Sequence, residues 1–278
     1  MVYNVFSPAQ ELQSIIKQYV VISSLDGIDS LLFLPNGCNA IVFNRGFEAY
    51  TKVYNEDKKF PIPKNYSISL KSNKIKKFIL SENNSSKDMK FPIIVVELTP
   101  IGFFKLFNMD ASILNKGYLE LENSIVDRYF KDFYTHSSLE EEFKYLNSSL
   151  IALHASQNNT HMLIEDVIDK IINSYHFEVT VESLLKEFKC SRSTMERDFK
   201  KVIGLTPKNF IFVSKFCKTV LAYIEDQCSF NELKYLYSDS SHMNAVFKKF
   251  FGVNPSVILN EVKNNKIQIY QMKRLKKS

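Results

Sequence analysis

Residues 191–207 read SRSTMERDFKKVIGLTP, and residues 239–255 read DSSHMNAVFKKFFGVNP. At this offset of 48 residues, seven of the 17 aligned positions are identical. After residue 117, glycine and proline occur only at matching positions of the two copies, namely Gly204, Pro207, Gly252 and Pro255. Self-similarity at a fixed offset indicates a repeated structural unit, here one built twice in the C-terminal half.

Each copy has the pattern of a helix followed by a tight stop and a second helix. Met195, Phe199 and Val202 recur at positions i, i+4 and i+7, which is one apolar helix face. Gly204 stands where a left-handed residue would end that helix. Thr206 and Pro207 then match the N-cap and first turn of the next helix. The second copy repeats the scheme with Met243, Phe247, Phe250, Gly252, Asn254 and Pro255.

A short helix precedes each copy. Residues 181–188 (VESLLKEF) are predicted to form one, and residues 229–236 the other, which opens with the capping-box pattern Ser229 to Glu232. Two short helices joined by a tight turn are typical of a helix-turn-helix, whose second helix enters the major groove of DNA. The sequence therefore predicts two such units, separated by a long helix from Pro207 to about residue 226.

The two units resemble those of AraC/XylS-type transcriptional regulators. Residues 181–207 are similar to the first unit of that family, and residues 230–255 to the second, including its F-K-K-x-F-G-x-x-P ending. The sequence departs from the family pattern at three residues and in the length of the second unit. Leu185 and Lys189 stand where the family usually has Ala and Gly, and Ala245 stands where an Arg often reads a base. The second unit is also about two residues shorter before Tyr237.

The resemblance implies roles for the polar faces of the recognition helices, residues 191–203 and 240–251. The candidates for base contacts are Ser193, Glu196, Arg197, Ser241, His242 and Asn244. The candidates for phosphate contacts, which position a protein without specifying sequence, are Arg192, Lys200, Lys201, Lys248 and Lys249. Arg197 leads the first group because a guanidinium can bond bidentately to guanine. Plain alternatives stay open: solvated lysine faces, a Glu196–Lys200 helix pair, and a capping or packing role for His242.

The N-terminal part is predicted to be rich in β-structure. Short apolar or alternating runs separated by turn residues suggest a small barrel or sandwich. These runs are Ser30–Leu34, Ala40–Phe43, Phe47–Tyr54, Tyr66–Leu70, Ile75–Leu80 and Ile93–Leu98. Pro8–Val20 is interpreted as an amphipathic flanking helix. The sequence Leu34-Pro35-Asn36-Gly37 and its surroundings also resemble the cupin-like barrel sensor domains of the same family, which bind ligands or dimerise.

The predicted fold is therefore α+β, with an N-terminal small β-barrel and flanking helices before an all-α domain of two helix-turn-helix units. Three regions follow: a sensor or dimerisation domain at 1–157, a DNA-binding domain at 162–265, and a basic tail at 266–278. The tail is interpreted as a solvated end, with a phosphate-gripping arm as the alternative. An apolar seam with alternating spacings of four and three residues, formed by Leu139, Phe143, Leu146, Leu150 and Leu153, fits either a helix packed on its own domain or a dimer contact.

Composition and motifs argue against several classes of function. No glycine falls in a dinucleotide, P-loop or serine-hydrolase motif. Residues 1–135 contain no histidine and the five histidines show no metal-ligand spacing, so no metal or other cofactor is expected. The four scattered cysteines indicate reduced thiols and lack the zinc cluster of helix-turn-helix DNA-repair methyltransferases. No segment resembles a signal peptide or membrane span, which predicts a cytoplasmic protein.

These observations predict a non-enzymatic, sequence-specific transcriptional regulator that binds double-stranded DNA. The net charge of +6 belongs to residues 160–278, with 19 basic and 13 acidic residues, while residues 1–159 are neutral. An adaptor that acts mainly through protein partners, with weakened DNA reading by the second unit, is the alternative. Three features are left open: contact with RNA polymerase, homodimerisation through 139–153 or the N-terminal domain, and a small-molecule effector. A barrel packed by its own side chains is favoured over a ligand cavity.

Overall fold

The computed structural model describes residues 2–24, 31–45, 49–53, 59–63, 66–69, 76–80, 92–116, 119–157, 161–174, 179–225, 229–233, 237, 239–263 and 268–269. Its strands are β1 (Val2–Phe6), β2 (Ile16–Ser24), β3 (Leu31–Phe33), β4 (Ala40–Phe43), β5 (Ala49–Val53), β6 (Lys59–Ile62), β7 (Tyr66–Ser69), β8 (Lys76–Leu80), β9 (Ile93–Leu98), β10 (Leu119–Glu120) and β11 (Gln268–Ile269). Its α-helices are α1 (Gly102–Phe107), α2 (Asn123–Ile125), α3 (Leu139–Ala155), α4 (Met162–Asn173), α5 (Val181–Glu187), α6 (Arg192–Ile203), α7 (Pro207–Ile224), α8 (Phe230–Leu233), α9 (Ser240–Phe251) and α10 (Pro255–Lys263).

The strands form two sheets with the orders β1-β2-β9-β4-β7-β10 and β11-β3-β8-β5-β6. In the first sheet β4 pairs antiparallel with β9, with Ile41 opposite Val96 and Phe43 opposite Ile94. These four side chains are buried, because their face of the sheet is covered by helices of the N-terminal part. The mixed helix and sheet architecture is as predicted, but the described ladders do not close into a barrel.

One predicted helix is wrong. Pro8–Val20 contains a short 3₁₀ turn at Gln10–Leu12, and the chain then enters strand β2 at Ile16. Of the apolar residues that suggested a helix face, Ile16, Tyr19 and Val20 instead lie in a strand between β1 and β9, and Tyr19 is opposite Val96. β-Branched residues at 20–22 favour that extended conformation, and pairing on both edges reinforces it.

Helix α3 packs on its own domain. A capping box precedes its first residue, in which Ser138 and Glu141 exchange hydrogen bonds. Leu146, Leu150 and Leu153 are buried in the core beneath the first sheet. The leucine seam of 139–153 is therefore used within the chain, which is the first of its two sequence interpretations.

Helices α6 and α9 end, and α7 begins, at the residues that the repeat predicts. Gly204 and Gly252 cap α6 and α9 with φ angles of 82° and 72°, the left-handed region that glycine enters without a Cβ clash. Thr206 caps α7 by accepting a hydrogen bond from the amide of Asn209, with Pro207 in the first turn. Helix α7 separates the two units over 18 residues.

A few residues of the N-terminal part join the hydrophobic core of the C-terminal helices. Leu32, Ile101 and Phe104 pack with the buried faces of α4 to α10. A Cβ at Gly204 would lie 2.5 Å from the carbonyl oxygen of Ala111, in the 3₁₀ helix Ala111–Lys116. The first helix-turn-helix unit is thus fixed against the N-terminal part by backbone contact as well as by side chains.

Lys105 strengthens this junction. It lies in α1, and its Nζ donates to Glu165 of α4 at 2.7 Å. The side chains of Lys105 and Glu165 are 10% and 30% exposed, so the pair is partly shielded from water.

The chain also returns to its N-terminal part after the second unit. Strand β11 pairs in parallel with β3, with Gln268 opposite Leu31 and Ile269 opposite Leu32. The start of the region interpreted as a basic tail therefore belongs to a sheet, while Lys273–Lys277 lie outside the described residues.

The turn of the first unit contains a non-glycine residue in the left-handed region. Lys189 has φ 49°, at the position where the family pattern has Gly. We expect Lys189→Gly to raise the free energy of unfolding by about 0.5–1 kcal/mol, because relief of the Cβ clash exceeds the entropy that glycine loses. Urea unfolding followed by circular dichroism measures the change.

Lys186→Gly is the matched control for that substitution. Lys186 is exposed in the last turn of α5, where glycine costs about 1 kcal/mol. The two lysine-to-glycine changes should therefore have opposite signs, and a loss of stability in Lys189→Gly would contradict the explanation.

Candidate nucleic-acid interface

The first unit is assembled by two capped helices. Thr180 caps α5 in a reciprocal arrangement with Ser183, and Ser191 caps α6 by accepting from the amide of Thr194. Leu184 of α5 and Met195 of α6 are both fully buried in the shared core. Burial of the apolar stripes leaves the opposite side of α6 facing solvent.

Every candidate contact residue on α6 is exposed. These are Arg192, Ser193, Glu196, Arg197, Lys200 and Lys201. Lys200 and Lys201 also lie in the last turn of α6, where positive charge complements the helix dipole. The candidate side chains of α6 therefore form one solvent-exposed surface.

Arg197 is held by the residue that follows it. Its Nε donates to Asp198 Oδ1 at 2.8 Å, and this hydrogen bond raises the pKa of Arg197. The second carboxylate oxygen of Asp198 lies 3.7 Å from Nε2 of His161, at the start of α4. The Arg197 side chain is 70% exposed, whereas that of Asp198 is only 17% exposed. A shielded carboxylate therefore lies between an exposed guanidinium and the α4 terminus.

Arg192 joins the two helices of the first unit. Its Nη2 donates to Glu182 of α5 at 2.7 Å, and its Nη1 lies 3.7 Å from Glu196 on the next turn. The bond with Arg192 lowers the pKa of Glu182. Glu196 therefore forms an ion pair with Arg192. The sequence had suggested a pair between Glu196 and Lys200. A phosphate contact by Arg192 would compete with Glu182.

The second unit repeats the arrangement. Ser229 and Glu232 form the predicted capping box before α8, and Asp239 caps α9 by accepting from the amide of His242. The predicted helix reaches residue 236, but α8 ends at Leu233 and residues 234–236 lie outside the described part. The candidates on α9 are all exposed, namely Ser241, His242, Asn244, Lys248 and Lys249.

Two of these side chains also contact the protein itself. The Lys249 ammonium lies 4.4 Å from the centre of the Phe212 ring on α7, a cation–π contact. The His242 ring meets Tyr237 edge to face at 5.5 Å between ring centres. Both contacts brace α9, so the packing role considered for His242 has structural support.

Sequence reasoning missed Asp198 and His161. Side-chain pairs on a helix are usually predicted at spacings of three or four residues, whereas Arg197 and Asp198 are adjacent. The other partner of Asp198, His161, is 37 residues away in sequence. The only available signal was an acidic residue adjacent to an arginine in a helix otherwise suited to bind phosphates.

The described residues contain no group of three or more His, Cys, Asp or Glu side chains arranged to hold a metal ion. None of the helices in that part is long and apolar enough to cross a membrane.

Comparisons with known proteins agree with this geometry. A family model described as a helix-turn-helix domain matches residues 184–261. The Msm operon regulatory protein of Streptococcus mutans is 27% identical over 131 residues, which cover 46% of this chain and 45% of that protein. An uncharacterised HTH-type transcriptional regulator of Escherichia coli, YdiP, is 25% identical over 105 residues, covering 37% of this chain and 35% of that protein. The chain thus spans less than half the length of these curated relatives.

Two solved structures also match most of the length of this chain. ToxT from Vibrio cholerae has a TM-score of 0.47 at 12% identity, covering 93% of this chain and 97% of that one. The AraC-like transcriptional activator CuxR has a TM-score of 0.22 at 13% identity, covering 79% and 78%.

Proposed function

We propose, from the premise that residues 184–261 form an AraC/XylS-type helix-turn-helix domain, that this chain regulates transcription by sequence-specific binding to double-stranded DNA. Helices α6 and α9 are the proposed recognition helices, inserted into successive segments of the major groove. Ser193, Glu196, Arg197, Ser241, His242 and Asn244 would face bases. Arg192, Lys200, Lys201, Lys248 and Lys249 would face phosphates.

One observation carries the proposal. The repeated sequence places the same apolar stripe of each recognition helix in the core and the same polar stripe in solvent. Met195 and Met243 are buried at equivalent positions, while Lys200 and Lys248 are exposed at equivalent positions. Two copies of an exposed basic surface are what two successive groove contacts require.

The remaining parts of the proposal concern the N-terminal part. We assign residues 1–157 to a cupin-like sensor or dimerisation domain and residues 162–265 to DNA binding. The proposal also includes three further interactions: binding of a small-molecule effector, a dimer contact through the N-terminal domain, and a contact with RNA polymerase. Because the α3 seam is buried within the chain, a dimer would use another surface.

A partner-binding adaptor is the second candidate. Arg192 is paired with Glu182 and Lys249 lies on Phe212, so two of the proposed phosphate contacts already have internal partners. Strong dependence of DNA affinity on salt concentration would support the regulator, because phosphate contacts release counterions.

We expect Arg197→Ala to weaken binding to the selected operator by about 1–3 kcal/mol and to relax base preference at one position. The operator is first obtained by selection of random duplex DNA with the full chain. Mobility-shift titrations on the operator and on its single-base variants then measure affinity and preference.

Lys248→Ala is the comparison variant for this experiment. A lost phosphate contact should weaken binding to all duplexes alike. It should also reduce the slope of log affinity against log salt concentration by about one, because about one fewer counterion is released on binding. Unchanged operator affinity in Arg197→Ala would remove that residue from the interface.

A further inference from the structure

The Arg197 guanidinium is bonded through only one of its three nitrogens within the described part of the chain. The contact with Asp198 uses Nε, at 2.8 Å. The two terminal nitrogens, Nη1 and Nη2, are the pair that can donate together to the O6 and N7 atoms of guanine. The observed bond is therefore compatible with base reading and fixes the plane of the guanidinium.

Asp198 is itself restrained from a second side. His161 Nε2 lies 3.7 Å from Oδ2, the carboxylate oxygen not bonded to Arg197. His161 precedes α4, and its amide donates a long hydrogen bond to Glu165 Oε1 at 3.5 Å. Glu165 in turn binds Lys105 of the N-terminal part at 2.7 Å. Contiguous polar contacts thus extend from α1 to the exposed guanidinium.

We propose that Asp198 is a positioning residue that determines base specificity, because it orients the Arg197 guanidinium through Nε while His161 orients Asp198. The inference rests on the proposed function. An arginine held in one plane loses less side-chain entropy on binding and rejects wrong bases more strongly than a freely rotating one. Asp198 touches no base in this scheme, and its effect passes through Arg197.

The test compares full-chain Asp198→Asn with the wild type on the selected operator and on duplexes substituted at the base that Arg197→Ala identifies. Asp198→Asn should lower discrimination at that base by about five- to tenfold, because a neutral amide oxygen accepts more weakly from Nε and holds the plane of the guanidinium less firmly. Its affinity for unrelated duplex DNA should stay the same or increase, because a negative charge near phosphates has been removed. His161→Gln should reduce discrimination at the same base by about two- to threefold.

A merely structural role for Asp198 gives a different result. It would lower affinity for all duplexes together and shift the urea midpoint, with the base preference retained. Asp169→Asn removes the same charge from an exposed position on α4 and should leave discrimination unchanged. Unaltered discrimination in Asp198→Asn, with specific binding intact in the wild type, overturns this inference alone. Absence of specific binding in the wild type overturns the proposed function with it.

Discussion

Replacing Glu142 with alanine is expected to lower the free energy of unfolding by about 3–5 kcal/mol, because the largely buried Arg45 guanidinium loses its counter-ion. Glu142 lies in the first turns of α3 and forms an ion pair with Arg45, which follows strand β4. The two side chains are 5% and 16% exposed. Arg45 also donates Nε to the carbonyl of Pro92 at 2.7 Å, so it remains fixed in place after its counter-ion is lost. Urea unfolding gives the change directly.

Two variants calibrate this loss. Glu140→Ala removes an exposed carboxylate from the same turn and should change stability by only a few tenths of a kcal/mol. Arg45→Met combined with Glu142→Leu replaces both charges by apolar groups of similar size and should recover most of the loss. A loss below about 1 kcal/mol in Glu142→Ala would show that Arg45 finds water or another partner.

Gly204→Ala is expected to destabilise the protein by about 2–4 kcal/mol. The left-handed backbone at φ 82° costs an alanine about 1 kcal/mol. The added Cβ would also meet the Ala111 carbonyl oxygen at 2.5 Å, and a backbone atom cannot move aside as a flexible side chain does. Because this contact joins α6 to the N-terminal part, the variant should also lose operator affinity.

Gly252→Ala separates the two contributions. Gly252 has a similar φ of 72° at the equivalent position of α9 but is exposed. Its substitution should cost only about 1 kcal/mol, the backbone part of the penalty. Equal losses for the two variants, measured by urea unfolding, would mean that the Ala111 contact adds nothing to stability.

The repeat made the C-terminal half predictable because its signals are local. Gly204, Thr206 and Pro207 specify one helix end and the next helix start through their own backbone preferences. Strands β4 and β9 were also predicted with their observed bounds, since both are short apolar runs with turn residues nearby. In each case the decisive interactions lie within a few residues of sequence.

Predictions failed where tertiary pairing decides the conformation. The segment before β2 carries an apolar pattern that suits a helix face, but pairing with β1 and β9 makes Ile16–Ser24 a strand. Strand β11 is equally invisible in sequence, because two residues acquire their conformation only from β3. The exposed faces of α6 and α9 were predicted, whereas the Asp198–His161 contact requires knowledge of how α4 packs.

Strand β11 gives the second helix-turn-helix unit an anchor on each side. Helix α7 connects it to the first unit, and the β11–β3 ladder connects it to the second sheet. A rigid-body swing of α8 to α10 about α7 therefore either keeps Gln268–Ile269 paired with Leu31–Leu32 or breaks that parallel ladder. For the two proposed recognition helices, a large change of spacing would thus act on the edge strand of the second sheet.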